Sequence, residues 1–261
     1  MKKLTFLVCV LLLTAFNLSA QWQAILSASV SSSAPPDITA DLWSPMETAS
    51  PSATTLKAAA SGGAVAASAW STTGTQVTST SAQHALPFST INGSATTGTY
   101  GYVGNHDVPA YFTIDLNTYP TTQSVGFMVY VTALTDGTYT NPWVFGESTA
   151  PGLSIVSLRI ERSGSTYTAY LFNSGGTSGT VPISIATWYW VTVKAVQSGT
   201  CSLAIYNTSG VQVGSTQTLT GTSNQPFYHS LGGIASSSST GDTYIDNFVI
   251  DKTTATFPLG P

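Results

Sequence analysis

This 261-residue chain offers eleven side-chain carboxylates, three histidines and two cysteines for acid–base, nucleophilic or metal chemistry. Glycosidic cleavage needs two carboxyl groups about 5 to 9.5 Å apart across the scissile bond, which on one strand means acids two residues apart. No such pair occurs. Beyond the first fifty residues the acids are Asp107, Asp115, Asp136, Glu147, Glu161, Asp242, Asp246 and Asp251. Asp242 and Asp246 stand four apart beside the turn residue Gly241, and Glu161 is flanked by Arg159 and Arg162, which predicts a surface ion pair. A nucleophilic cysteine needs a neighbouring base, but His84, His106 and His229 are remote from Cys201, whose alternating surroundings predict a small buried residue. Neither Arg159 nor Arg162 lies in a motif suited to an Arg–Tyr–His lyase cluster. The expectation is no catalytic residue, unless the fold gathers distant acids such as Asp115 and Glu147 into one cleft.

Sugar recognition asks for something else: aromatic faces that stack on rings and a few polar groups that orient them. Aromatics in loops or at strand ends are the candidates, namely Tyr100, Tyr102, His106, Tyr139, Trp143, Tyr228 and His229. The run Tyr139-Thr-Asn-Pro-Trp143 follows the Asp136-Gly137 turn and sets Asn141 between two aromatics. Tyr139, Asn141, Trp143, Tyr228 and His229 are therefore the expected ligand-binding residues. An alternative remains for Trp143-Val-Phe145, which could equally begin a core strand. Trp188 and Trp190 are expected to be structural.

Charged residues make up 7 % of the chain, against about 25 % in average soluble domains, while Ser and Thr number 76. With 42 % hydrophobic and 11 % aromatic residues, disorder is excluded, because it goes with few aromatics and high net charge. A net charge of −4 leaves no basic surface for phosphates, so nucleic acid is not an expected partner. Lys2 and Lys3, the apolar run from Leu4 through Ala15, and Ser19-Ala20 have the charge, apolar, small-residue order of a secretory signal. That apolar run is too short for a bilayer span. Residues 1–20 are therefore expected to be a cleaved signal peptide, and the protein to be secreted or on the cell surface. Its removal takes Cys9 with it and leaves Cys201 without a disulfide partner.

The elements that must hold these residues are strands. A Ser- and Ala-rich linker is expected over 21–36, a single β domain over 37–255 and a tail over 256–261. Alternation at period two marks half-buried strands. It predicts strands over 111–116, 124–132, 155–161, 166–172, 189–195, 201–207, 211–215 and 244–251, separated by Gly-bearing turns. Short β-branched and aromatic runs at near-regular spacing call for an all-β antiparallel sandwich or barrel. Thr and Ser on the outward faces account for the missing charge.

The order Trp188-Tyr-Trp-Val191-Thr-Val193, then Ser202-Leu-Ala-Ile-Tyr-Asn-Thr-Ser-Gly-Val-Gln-Val213, then Ser230-Leu-Gly-Gly-Ile234, then Tyr244-Ile-Asp-Asn-Phe-Val-Ile250 resembles the laminin-G-like members of the concanavalin A-like lectin and glucanase superfamily. Here Asn207-Thr-Ser-Gly210 stands where that pattern has an Asp-Gly turn. The resemblance implies a jelly roll whose last strand returns beside the first. It also implies a structural calcium, mapped onto Asp246 with Glu47 or Asp41, with loop bracing by Asp246 as the alternative. Together these features lead to a secreted, non-catalytic module for glycan or another extracellular surface. The alternative is a structural or adhesive module making protein contacts through its hydroxyl-rich faces.

Overall fold

The computed structural model describes residues 37–44, 120–146, 154–226, 228–232 and 239–260. It also describes the backbone of strands at 55–58, 64–69, 71–73, 76–79, 90–91, 101–105, 110–115 and 233–235. The expected signal segment and linker, and the candidates Glu47, Tyr100 and His106, lie outside the described residues, and Tyr102 is described by its backbone alone.

Strands are numbered in chain order. The first sheet runs β18 (Gln217–Thr220), β17 (Thr200–Tyr206), β16 (Tyr189–Val196), β10 (Thr122–Val131), β20 (Asp242–Asp251), β2 (Leu42–Ser44), β3 (Thr55–Ala58) and β4 (Ala64–Ala69). Beside β20 also lies β8 (Gly101–Asn105), which pairs with β6 (Gln76–Ser79). The second sheet runs β14 (Gly176–Thr177), β13 (Thr166–Asn173), β12 (Ser154–Ser163), β11 (Tyr139–Gly146), β19 (Tyr228–Ala235), β9 (Ala110–Asp115) and β5 (Ser71–Thr73), with β15 (Val181–Ile183) also on β13. A short ladder of β1 (Asp37–Ile38) and β7 (Thr90–Ile91) is parallel. No helix occurs among the described residues.

Alternation decides which side chains meet. Val125, Phe127, Val129 and Val131 from β10 and Val156, Leu158 and Ile160 from β12 share one core between the two sheets, so the fold is an antiparallel β-sandwich. Trp143 and Phe145 of β11 belong to that core at 0 % exposure, and their rings stack 6.2 Å apart. Burying each such large side chain contributes about 1.5–3 kcal/mol. The last strand lies beside Leu42–Ser44, with Leu42 opposite Ile250. Within it the register with β10 shifts between Gly126 and Met128, at the bulge where Asn247 takes φ 53°. Asn is among the few side chains that tolerate this conformation, and the extra residue lets Phe248 reach the inner core while Val249 faces out.

One expected strand does not form. Over 211–215 only an isolated bridge between Tyr206 and Gln212 is found, and the return strand is Gln217–Thr220, paired to Thr200–Leu203. Asn207 is the reason: its Oδ1 accepts the Ser209 and Val211 amides at 3.0 Å each. A side-chain acceptor that captures amides two and four residues on competes with the ladder. Gly214, at φ +68°, then turns the chain again before pairing resumes.

A second core lies on the outer face of the first sheet, where Met128, Trp190, Tyr206 and Val249 are covered by Ile38 and Leu259. The closing residues, expected as a tail, dock there. Trp190 Nε1–H donates to the Leu259 carbonyl at 2.6 Å, and the Leu259 amide donates to Thr192 Oγ1 at 2.9 Å. Two carboxylates fold the connection. Asp41 accepts from the Lys252 and Thr253 amides at 2.7 Å, and Asp251 accepts from Thr254 Oγ1 at 2.6 Å and the Thr256 amide at 2.8 Å. Gly126 lies under the indole: a Cβ there would stand 2.4 Å from Trp190 Cζ2.

Candidate functional site

The outer face of the second sheet carries a cluster of charged and aromatic side chains. Alternation in β12 turns Val156, Leu158 and Ile160 inward and Ser157, Arg159 and Glu161 outward. Tyr139 of β11 pairs with Glu161, while Tyr170 and Phe172 of β13 pair with Arg159 and Ser157. The register of three neighbouring strands thus brings Tyr139, Arg159, Glu161, Tyr170 and Phe172 to one patch. Asn141, two residues after Tyr139, takes the same phase with its side chain fully buried, and the β11–β12 register shift between Thr140 and Trp143 turns Trp143 the other way.

Arg159 is the centre of this patch. Its guanidinium carbon lies 3.7 Å from the Tyr139 ring centroid and 3.5 Å from that of Phe172, so the plane is sandwiched between two aromatic faces. Its Nε–H donates to Asn141 Oδ1 at 3.2 Å. Each cation–π contact contributes about 0.5–2 kcal/mol depending on desolvation, enough to hold a side chain that otherwise has about 2 kcal/mol of rotamer entropy. Arg159, Tyr139, Phe172 and Glu161 are all partly exposed. Tyr170 is buried and its hydroxyl donates to Glu161 Oε2. Burial, then the bond to Glu161, pushes the Tyr170 phenol up to about 12.

The ion pair expected around Glu161 is replaced by this bond. Arg162 sits one residue further on and so faces away. Its Nη1 donates to the Leu134 carbonyl at 2.8 Å and its Nε to the Gly164 carbonyl at 2.9 Å. Sequence inspection missed Arg159, Tyr170 and Phe172 as partners. The outward phase of Arg159 was readable from the alternation, but which residues of β11 and β13 stand beside it depends on a bulge and a register.

Of the five expected ligand residues, the structure brings Tyr139 and Asn141 into this patch. Trp143 and His229 are both fully buried and meet each other in the inter-sheet core; neither presents a face to a ligand. Strand phase is the reason, since Trp143 pairs with inward Leu158 and His229 with inward Phe145. Tyr228 is partly exposed and lies at the opposite end of β11 from Tyr139, opposite Gly146.

His229 is held by three rings and two polar groups. It stacks on Phe145 at 4.6 Å and meets Phe248 edge-on at 5.7 Å. Trp143 Nε1–H donates to His229 Nδ1 at 3.1 Å. An indole can only donate, so Nδ1 accepts and the neutral ring carries its proton on Nε2. Nε2 lies 2.8 Å from the buried Gln123 amide, a contact that is a hydrogen bond when the amide oxygen faces the ring. Burial pushes the His229 pKa down from 6.5 to about 3. This imidazole is a neutral bracing element between the sheets, not an acid or base in contact with solvent.

Asp246 is also fully buried, and its Oδ1 accepts the amide of the next residue, Asn247, at 2.8 Å. Among the described residues no three His, Cys, Asp or Glu side chains gather to hold a metal ion. Asp41, the other expected partner, spends its carboxylate on the 252–253 turn. Cys201 is buried and unpaired, and burial pushes its thiol up, away from the thiolate that a nucleophile needs.

The class defined by these observations is an all-β antiparallel sandwich with an aromatic, guanidinium-bearing patch on one outer sheet face. No family model matches the sequence, and no curated protein matches it. Among solved structures, the chain is similar to the binding domain of botulinum neurotoxin DC in complex with SialylT (10 % identity, 82 % of this chain and 48 % of that one, TM-score 0.47). It is similar also to an alginate lyase from Alteromonas sp. 272 (10 % identity, 57 % and 82 %, TM-score 0.42). A protein from Shewanella oneidensis MR-1 whose function is unknown is a third (16 % identity, 73 % and 80 %, TM-score 0.45). The chain spans about half the length of the toxin domain it matches. At such low identities and TM-scores these likenesses say nothing of what this chain binds. No helix among the described residues is long and apolar enough to cross a membrane.

Proposed function

We propose that this chain is a secreted, non-catalytic β-sandwich module of laminin-G-like type that binds glycan on the outer face of its second sheet. One observation carries the reading: Arg159 is clamped between Tyr139 and Phe172 beside Asn141. That gives a preorganised set of rings and guanidinium, held from within by a buried amide. Preorganisation matters because ordering such side chains during binding costs about 0.5–1.5 kcal/mol each. Tyr139 supplies a ring expected of a sugar site, while Asn141 is fully buried and holds Arg159 in place instead of meeting the ligand.

The same patch argues against catalysis. A tyrosine that abstracts a proton near neutral pH needs a lowered pKa, whereas Tyr170 is pushed up to about 12 and donates to Glu161. Glu161 is the patch's one acid among the described residues, and a second carboxyl group at glycosidase distance is not part of it.

The test is a glycan array combined with pull-down on insoluble polysaccharides, using the intact protein and the Tyr139→Ala/Phe172→Ala double variant. Retention by the intact protein that is lost in the variant supports the reading. Absence of retention on every polymer, together with concentration-dependent assembly in light scattering, favours the structural or adhesive alternative, for which low charge weakens repulsion between copies.

A further inference from the structure

We infer that the patch centred on Arg159 takes a carboxylate-bearing sugar, with the guanidinium meeting the carboxylate edge-on; this rests on the glycan-binding reading and narrows it. The geometry of the arginine leads there. Both faces of its plane are covered, by Tyr139 and by Phe172, so no sugar ring can stack on it. The Nε side is spent on Asn141. Tyr170, which stands opposite Arg159, also hydrogen-bonds the guanidinium, so what remains for a ligand is the rest of the terminal-nitrogen edge, from which a carboxylate oxygen can accept a charge-assisted hydrogen bond.

Charge points the same way. An arginine this far from full exposure is ordinarily paired, and a carboxylate is available on the same strand two residues on. Yet Glu161 takes the Tyr170 hydroxyl, and among the described residues no acid pairs with Arg159. Arg162 is tied down by two carbonyls, which leaves Arg159 as the cation this face presents. Glu161 opposes the binding of an anion, since its own charge lies on the same face, and this opposition gives the inference its sharpest test.

Binding would be measured by calorimetry on polygalacturonate, alginate and hyaluronate, on methyl-esterified galacturonan, and on neutral glucan and mannan, with dextran sulfate as a non-carboxylate polyanion. The expected result is binding to at least one carboxylated polymer, weakened about tenfold or more by esterification or by Arg159→Gln, and falling with salt. Arg159→Lys would recover part of the loss, and Glu161→Gln would strengthen binding to the acidic polymer. Equal binding to acidic and neutral polymers with no effect of Arg159→Gln would overturn the carboxylate assignment and leave the glycan reading intact. Tighter binding to dextran sulfate than to every uronate polymer would overturn it in favour of a general polyanion surface, and binding to none would remove both readings. Should Arg159→Gln fail to fold, the esterified polymer and the Glu161→Gln variant decide the question on an intact arginine.

Discussion

His229 makes the stability of this sandwich steeply dependent on acid. Its folded pKa is about 3 and its ordinary value 6.5, with burial as the cause. Between these two values the unfolded chain binds a proton that the folded chain does not, so folding weakens as pH falls. The contribution is fully present above 6.5 and is lost as pH falls through 3. At about 1.36 kcal/mol per unit, the full span is worth about 5 kcal/mol, and by pH 4 about 3 kcal/mol has gone. His229→Phe removes the titration while keeping a ring against Phe145 and Phe248. It also strands the Trp143 indole N–H and the Gln123 amide in the core, at a cost of about 1–3 kcal/mol each. Urea unfolding of the two proteins from pH 8 to pH 4 should therefore show the wild type more stable near neutrality, with the gap narrowing steadily below 6.5. Carboxylates such as Asp251 add their own acid sensitivity to both proteins and cancel in the difference. Parallel stability curves across that range would refute the reasoning, because they would mean that the imidazole protonates equally in both states.

Gly126→Ala should cost about 1–3 kcal/mol by overpacking, since the new Cβ meets Trp190 at 2.4 Å; a lowered Tm with a shifted indole emission would show it, and an unchanged Tm would mean the indole has room to move. Asp251→Asn should loosen the 252–256 turn, read as faster amide exchange at Thr254 and Thr256. Burial opposes the charged form of Asp251, but the hydrogen bonds from Thr254 and Thr256 outweigh it and hold its pKa below the usual 3.8. Its stabilisation is therefore present above that value and lost as pH falls through the lower folded one. Calcium should leave the Tm unchanged, because Asp246 is buried and its Oδ1 accepts the Asn247 amide; a chelator-reversible rise that disappears in Asp246→Ala would restore the metal reading.

The alternating runs in the sequence by themselves determined β9, β10, β12, β13, β16, β17 and β20, seven of the twenty strands among the described residues. Val156, Leu158 and Ile160 must point one way and Ser157, Arg159 and Glu161 the other, because a strand has period two. The scarcity of charge likewise argued against phosphate-binding surfaces, and the spacing of the acids against a carboxylate pair on one strand, before any strand was placed. What alternation cannot supply is phase across a bulge or pairing across the sheet. Trp143 and His229 read as loop or strand-end aromatics, Trp143 because its run follows the Asp136-Gly137 turn, with a core strand as its alternative. The bulge beside Asn141 and the register with β19 turned both rings into the core, where burial fixes the histidine as neutral. The hairpin after Asn207 was misjudged for a related reason, since a single amide-capturing side chain moved the return strand beyond Gly214. Only the tertiary structure could bring Arg159 between Tyr139 and Phe172, residues 20 and 13 positions away in the chain, because contacts between strands follow register and not sequence distance.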